Sequence, residues 1–133
     1  MGSKMLTTAA ALVAALVAAS VAAAGMMHPE LGARLSGMGE HGIVNFQSHE
    51  KKGEICWKFD LDVMHVTAAS IRDEGGMVVV QLGHMYSKNG CAMAAKKTLD
   101  MIESKPGSYR VWVDTKGHPG ELRGTLFAGM AHM

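Results

Sequence analysis

The most constraining feature of this sequence is a strict alternation of apolar and polar residues over residues 55–63. The stretch reads ICWKFDLDV, with an apolar side chain at every odd-numbered position. Successive side chains of a β-strand point to opposite faces, so this period of two predicts a strand with one face in a core and one face outward. A second alternating run, Val111 and Val113 between Arg110, Trp112 and Asp114, precedes a predicted turn over residues 116–120, in which Pro119-Gly120 is the turn signal. Any fold for this chain must therefore accommodate half-buried strands.

Further short strands follow the same logic along the chain. Runs of β-forming residues separated by Gly, Asn or Asp predict strands at residues 31–36, 43–47, 66–72, 77–82 and 91–96. Residues 77–82 are apolar except for Gln81, which predicts a strand buried on both faces, and Asn89-Gly90 predicts a turn. A single short helix is expected over residues 98–104, with Thr98 as its N-cap and Pro106-Gly107 after its end. Strands spaced about 8–12 residues apart indicate an all-β, antiparallel sandwich or barrel.

The N-terminal segment has the three parts of a secretory signal peptide. Lys4 supplies a positive charge, an Ala-rich apolar run follows, and small residues end at Ala24. We therefore expect residues 1–24 to be the signal peptide, with an uncleaved membrane anchor as the alternative. Residues 25–34 are expected to be a mobile segment, residues 35–128 the folded domain and residues 129–133 a C-terminal tail. The mature protein is thus predicted to be exported, with no membrane insertion after signal cleavage.

Charge and cysteine content narrow the classes of partner and compartment. The formal net charge is +1, and no stretch of sequence is obviously basic, which argues against nucleic acid as a partner. Two cysteines, Cys56 and Cys91, are present. An even number of cysteines in an exported chain favours a disulfide. Two free thiols or a pair of metal ligands are the alternatives, and the absence of a CxxC spacing weakens the metal and redox interpretations.

Four segments of the chain resemble the chordin-type (CHRD) domain family, in its cysteine-bearing bacterial version. They are Leu35-Ser36-Gly37, Glu54-Ile55-Cys56-Trp57 with Asn89-Gly90-Cys91, Val66-Thr67-Ala68-Ala69 followed by Met77-Val78-Val79-Val80, and Pro119-Gly120-Glu121-Leu122-Arg123-Gly124. The resemblance covers about residues 35–126. It implies an immunoglobulin-like or superoxide-dismutase-like β-sandwich. It implies little about function, because a shared fold does not determine a shared reaction.

The chain departs from the family pattern where that family has histidines. Ser70, Arg72 and Asp114 occupy those positions. If the strands are arranged as in the family, Ser70, Arg72, Trp112 and Asp114 form a polar cluster in place of a histidine cluster. We expect an Arg72–Asp114 ion pair, with the Arg72 guanidinium stacked on Trp112. The alternative is that both charges simply face solvent.

Methionine and histidine are abundant, with 12 Met and 7 His. Thioether and imidazole groups are ligands for copper and other soft metals. The candidate ligands lie chiefly at the chain ends: Met26, Met27, His28, His84, Met85, Met130, His132 and Met133. The alternative is that Met fills gaps in a core that has few aromatic residues. Copper binding is therefore a secondary expectation, and no cofactor is required.

Three classes of function are compatible with these features. No GxSxG, HExxH or Gly-rich phosphate loop is present, which argues against an enzyme. The first class is an exported non-catalytic module that binds an unidentified protein or assembles with itself. The second is a copper-binding protein that uses Met and His. The third, a dismutase-like enzyme, rests on fold analogy and is weakened by the replaced histidines.

Overall fold

The computed structural model describes residues 30–132, which form eight strands, one α-helix and two short 3-10 turns. The strands are β1 (Glu30–Gly37), β2 (Glu40–His49), β3 (Glu54–Leu61), β4 (Val66–Asp73), β5 (Val78–Gln81), β6 (Asn89–Met93), β7 (Tyr109–Thr115) and β8 (His118–Ala128). The helix is α1 (Lys96–Ser104), and the 3-10 turns are Glu50–Lys52 and Pro106–Ser108. The chain is therefore all-β with one short helix in the described part, as the sequence predicts.

All eight strands belong to one antiparallel sheet in the order β5-β4-β7-β8-β1-β2-β3-β6. The sheet folds over so that inward side chains from both of its halves pack into one core. The loop between β5 and β6 links the two halves, because the Tyr86 N–H donates to Thr67 O on β4 and the Phe59 N–H on β3 donates to Lys88 O. The result is a nearly closed sandwich with few open edges.

The core follows the predicted alternation of side chains. Ile55, Trp57 and Phe59 on β3 point inward and are almost fully buried, while Val111 and Val113 on β7 are completely inaccessible. Helix α1 adds Leu99 and Ile102 to this core. Burying an aliphatic or aromatic side chain contributes about 1.5–3 kcal/mol, so apolar burial is the main source of stability.

Several predicted boundaries were wrong, each for a physical reason. Residues 77–82 are not buried on both faces, because β5 is an edge strand and Met77 is 69% exposed. Asn89 and Gly90 are not a turn, since both pair with β3 at the start of β6. Helix α1 begins at Lys96 after Ala95 without a side-chain cap, so Thr98 is not the N-cap. The folded domain begins before residue 35, because β1 starts at Glu30, inside the segment expected to be mobile.

The outer side of the sheet over β2, β3 and β6 carries two features that hold the structure together, a disulfide and an anchored C-terminal tail, and we call it the fastened face. A disulfide joins Cys56 on β3 to Cys91 on the edge strand β6, where the two residues are direct partners, which confirms the predicted pairing. The second feature holds the C-terminal tail. The Asn45 side chain donates from Nδ2 to Ala131 O (3.1 Å) and accepts from the Ala131 N–H at Oδ1 (2.6 Å).

Gly32 makes room for this tail. A Cβ atom at position 32 would lie 2.7 Å from the backbone nitrogen of Ala131, closer than nonbonded atoms can approach. Ala131 is consequently almost fully buried. Within residues 30–132, no helix has the length and apolar character needed to cross a bilayer.

Candidate functional site

The predicted polar cluster of Ser70, Arg72, Trp112 and Asp114 lies on the outer side of the sheet formed by β4 and β7. Ser70 is the direct partner of Trp112 across the β4–β7 pair, and Asp114 is the partner of Ala68. Val111 and Val113 point into the core, so Trp112 and Asp114 between them point outward. The strand arrangement therefore brings Ser70, Arg72, Trp112 and Asp114 together, although they are about forty positions apart in sequence.

The expected stacking of Arg72 on Trp112 is present. The Arg72 guanidinium carbon lies 4.3 Å from the centroid of the Trp112 ring, within the range of a cation–π contact. Arg72 Nε donates to Ser70 Oγ at 3.1 Å, and Nη1 makes a longer contact of 3.5 Å with Gly76 O. Ser70, which is 3% exposed, thus helps to orient the arginine.

The ion pair expected between Arg72 and Asp114 is not formed. Asp114 Oδ1 instead accepts a hydrogen bond of 2.6 Å from the Gly120 N–H, across the β7–β8 turn. A carboxylate that accepts a backbone N–H in this way fixes the shape of a turn. Asp114 is therefore part of the support for the site, and Arg72 keeps its charge free of a carboxylate partner among the described residues.

A second arginine, which sequence reasoning missed, completes the site. Arg123 on β8 is the direct partner of Trp112, and its guanidinium carbon lies 3.9 Å from the Trp112 ring centroid. Arg123 Nε donates to Gly120 O at 3.0 Å. Trp112 is thus flanked by one arginine from each neighbouring strand. From the alternation of side chains along β8, Arg123 could have been predicted to point outward. Its pairing with Trp112 on β7 could not, because it depends on a register shift near Asp114 that the sequence does not reveal.

Gly120 allows the start of β8 to lie against the tryptophan. Its φ of 63° is in the left-handed region, and a Cβ there would approach Trp112 Cε3 to 2.7 Å. The chain reverses before this point, at Lys116-Gly117, so the prediction that Pro119-Gly120 belongs to the turn was wrong: both residues lie in β8. Gly120 instead lets its backbone N–H and carbonyl hold Asp114 and Arg123 beside the ring.

The other two arginines of the chain lie on the same outer side. Arg110 is the direct partner of Arg72 across β4 and β7, and it also pairs with Thr125 on β8. Arg34 is exposed on β1 between the buried residues Ala33 and Leu35. We call this surface the arginine face, defined by Arg34, Arg72, Arg110, Arg123 and Trp112.

The basic residues are segregated by type. All four arginines of the sequence are on the arginine face, whereas the lysines of residues 30–132 lie in turns, in the helix or on β3. Within the described range, no carboxylate forms an ion pair with any of the four guanidinium groups under a 4.0 Å limit. The face therefore combines a net positive charge with planar guanidinium groups that have no carboxylate partner among the described residues.

The predicted metal ligands are not brought together in the described part of the chain. Met26, Met27, His28 and Met133 lie outside residues 30–132. His84 and Met85 are exposed in the loop between β5 and β6. Met130 and His132, which flank the anchored Ala131, line two different hollows, and Arg34 of the arginine face also lines the hollow at His132.

Two groups of possible ligands do converge to within 4.8 Å in the described part, and neither includes the predicted ones. One group is His49, Glu54 and Cys56, but the Cys56 sulfur is committed to the disulfide. The other is Glu50, Asp100 and Glu103, where α1 meets the first 3-10 turn. A side-chain hydrogen bond with Glu103 raises the pKa of Glu50, with burial and the Glu103 charge adding to it. Burial and the nearby Glu50 carboxyl raise the pKa of Asp100.

An open cleft of about 450 Å³ lies at one end of the sandwich. His65 and His118 line it together with Glu40, Asp62 and Glu121. His65 has a φ of 61° and is held by a hydrogen bond from the Lys116 N–H to its carbonyl. These side chains do not form a convergent ligand set. The arginine face is therefore the better organised site.

No known family model matches this chain, and no curated protein matches it either.

Proposed function

We propose that this chain is an exported, non-catalytic module of chordin type that acts by binding a partner through its arginine face. The observation that supports this proposal is the position of Trp112 between Arg72 and Arg123, which have no carboxylate partner of their own in residues 30–132. Arginine and tryptophan are the residues most enriched at energetically important contacts between proteins. A surface that orders both types without satisfying their charge suits recognition of an outside group.

Binding is favoured over catalysis by the chemistry of the side chains at this site. A guanidinium stays protonated at any physiological pH, so it can neither accept a proton as a general base nor ligate a metal cation. Arg72 stands where the resembled family has a histidine. The Asp114 Oδ1 atom already accepts the Gly120 N–H. A dismutase-like metal centre is therefore the least supported of the three classes.

Export is supported by the disulfide and by the leader-like residues 1–24. Disulfides persist in oxidising compartments and are rare in the cytosol. We expect the mature chain to begin at Gly25 and to carry the Cys56–Cys91 bond. Intact-mass measurement of the protein from culture medium or cell envelope tests this. A mass that still includes residues 1–24 contradicts export by signal cleavage.

Site-specific photo-crosslinking tests the binding function. A photoreactive amino acid at Thr125 sits in the arginine face beside Arg110, whereas one at Lys97 sits on the exposed side of α1. We expect a defined crosslinked species from position 125 and not from position 97 in cells that produce the protein. The yield should fall at least fivefold in an R72Q/R123Q background, since each lost charged contact costs about 1.5–3 kcal/mol. Equal yields at both positions, or no dependence on the arginines, contradict the proposal.

Copper binding is the second candidate, and one observation favours it. The anchored tail places His132 in the same hollow as His41 on β2, which gives two imidazoles on one surface. Arg34 also lines this hollow and repels a cation, so the candidate ranks second. Calorimetric titration with copper compares the wild type with H41A/H132A, and H84A serves as the control. A dissociation constant weaker than about 10 μM in the wild type leaves only the binding module.

A further inference from the structure

We infer that the arginine face docks an acidic polypeptide segment, with carboxylates held by the outward edges of the arginine guanidinium groups. This inference rests on the proposed function and names the class of partner. It starts from how the two stacked arginines are held. Contact with the Trp112 ring restricts the position of each guanidinium, and Ser70 Oγ and Gly120 O each accept a hydrogen bond from the Nε of one of them.

The guanidinium N–H groups that make no hydrogen bond within the described protein suit a planar acceptor such as a carboxylate. Arg123 uses only Nε within the described protein, and Arg72 uses Nε and Nη1, so terminal N–H groups of both remain for a ligand. A guanidinium edge presents two parallel donors whose spacing matches the two oxygens of a carboxylate. Because ring contact has already restricted these side chains, less conformational entropy is lost when a ligand binds.

The spacing of the charges suits a chain and not a single small anion. Arg72 and Arg110 are on neighbouring strands, and Arg34 lies two strands beyond Arg110, past β8. Neighbouring strands are about 4.8 Å apart, so this row spans roughly 15 Å. An extended peptide rises about 3.3 Å per residue, and side chains two positions apart point the same way. Acidic residues at alternate positions therefore present carboxylates about 7 Å apart along one side, which allows one segment to reach several arginines.

Nucleic acid fits this surface less well. Proteins that bind phosphate backbones are usually basic overall, with pI above about 9. This chain has a net charge of +1 and a sequence pI near 7.9. Single-stranded nucleic acids also need exposed aromatic rings for base stacking. Trp112, the tryptophan on this face, is already flanked by Arg72 and Arg123.

Direct titration with defined probes tests the inference. Isothermal titration calorimetry uses the disulfide-bonded mature protein with a ten-residue glutamate peptide capped at both ends. The matched glutamine peptide is the neutral control, and heparin and a single-stranded oligonucleotide are the competing polyanions. We expect binding of the glutamate peptide that weakens as salt rises, with no detectable binding of the glutamine peptide. Tighter binding of heparin or the oligonucleotide than of the glutamate peptide, at equal ionic strength, overturns the inference.

Variants separate specific docking from general attraction. R123Q should weaken the glutamate peptide about tenfold, and R72K/R123K should weaken it severalfold, because lysine keeps the charge but offers no planar pair of donors. K58Q removes the same charge from the fastened face and should change the affinity less than twofold. An equal loss for K58Q and R123Q overturns the inference, as does full affinity in R72K/R123K.

The two proposals can fail separately. If the glutamate peptide does not bind while position 125 still gives an arginine-dependent crosslink, the arginine face binds a partner of another class. In that case the inference is wrong and the proposed function stands. If neither the peptide nor the crosslink is observed, both are wrong.

Discussion

The fastened face and the arginine face differ in whether their polar and charged groups have partners within the protein. On the fastened face, polar groups are satisfied internally: Asn45 binds the tail at Ala131, and Cys56 is joined to Cys91. On the arginine face, charged groups are ordered but left without counter-charges in the described chain. The residues that stabilise the fold and the residues available for recognition are therefore different ones, on adjoining surfaces that meet where Arg34 and His132 line the same hollow. Changes to one side should therefore leave the property of the other side intact.

Loss of the disulfide should have the largest effect on stability. A C56A/C91A variant should lose about 3–4 kcal/mol of unfolding free energy on the chain-entropy model, for bonded residues separated by 35 positions. Urea denaturation measures this, with the oxidised wild type as reference. If the two sides are independent, the glutamate peptide should bind the folded variant with unchanged affinity. A loss below about 1 kcal/mol would show that the β3–β6 pairing does not need the bond.

Release of the tail should have the next largest effect. N45A removes both hydrogen bonds to Ala131, and each contributes about 0.5–1.5 kcal/mol. The free energy of local opening of the tail should therefore fall by about 1–3 kcal/mol. Hydrogen exchange at the Ala131 amide measures this opening. Q47A, an exposed neighbour on the same strand, is the control and should leave the Ala131 amide protected. Protection that persists in N45A would mean that burial alone holds the tail.

Truncation of Trp112 should have the opposite result from the two preceding variants: a small loss of stability and a large loss of affinity for the glutamate peptide. W112A removes two cation–π contacts of roughly 0.5–1 kcal/mol each, so the free energy of unfolding should fall by about 1–2 kcal/mol. Because both arginines lose the ring that orients them, affinity for the glutamate peptide should fall by more than in either fastened-face variant. Calorimetry and urea denaturation on the same samples compare the two losses. Unchanged affinity would show that Trp112 does not organise the arginines.

The smallest expected effect on stability comes from the carboxylates Glu50 and Glu103, where α1 meets the first 3-10 turn, on neither of the two faces. The shared hydrogen bond with Glu103 raises the pKa of Glu50 above its ordinary 4.5, so the folded state binds this proton more tightly than the unfolded chain does. Stability at this site is therefore greater below the ordinary pKa and is lost as pH rises through the raised one. E50Q should raise Tm slightly at pH 7 and not at pH 4. E74Q, in the exposed β4–β5 loop, should change Tm at neither pH, and a similar rise there would contradict the assignment.

Much of the fold could be predicted from the sequence because side-chain alternation is a local property. The runs around Trp57 and Val111 placed β3 and β7 correctly, and the even cysteine count favoured the disulfide that is present. The error at Met77 arose because continuous apolar sequence does not distinguish a central strand from an edge strand. That distinction depends on pairing between strands far apart in sequence.

The site was predicted in part for the same reason. Arg72 and Trp112 were expected to meet, and they do. Asp114 was assigned to the wrong partner, and Arg123 was missed, because both depend on the register shift between β7 and β8. The gathering of all four arginines on one side was also invisible in sequence. Arg34 and Arg123 are 89 positions apart, and only the β1–β8 pairing makes them neighbours.

That β1–β8 pairing also has a consequence for the order of events when the protein is made. The first described strand cannot complete its pairing until the last strand is available, and β4 likewise waits for β7. Contacts between such distant segments close large loops and form slowly. A newly synthesised chain should therefore remain unfolded until nearly all of it has emerged. In the exported protein that we propose, this delay would keep the chain unfolded enough to pass a translocation channel and would postpone formation of the Cys56–Cys91 bond until after passage.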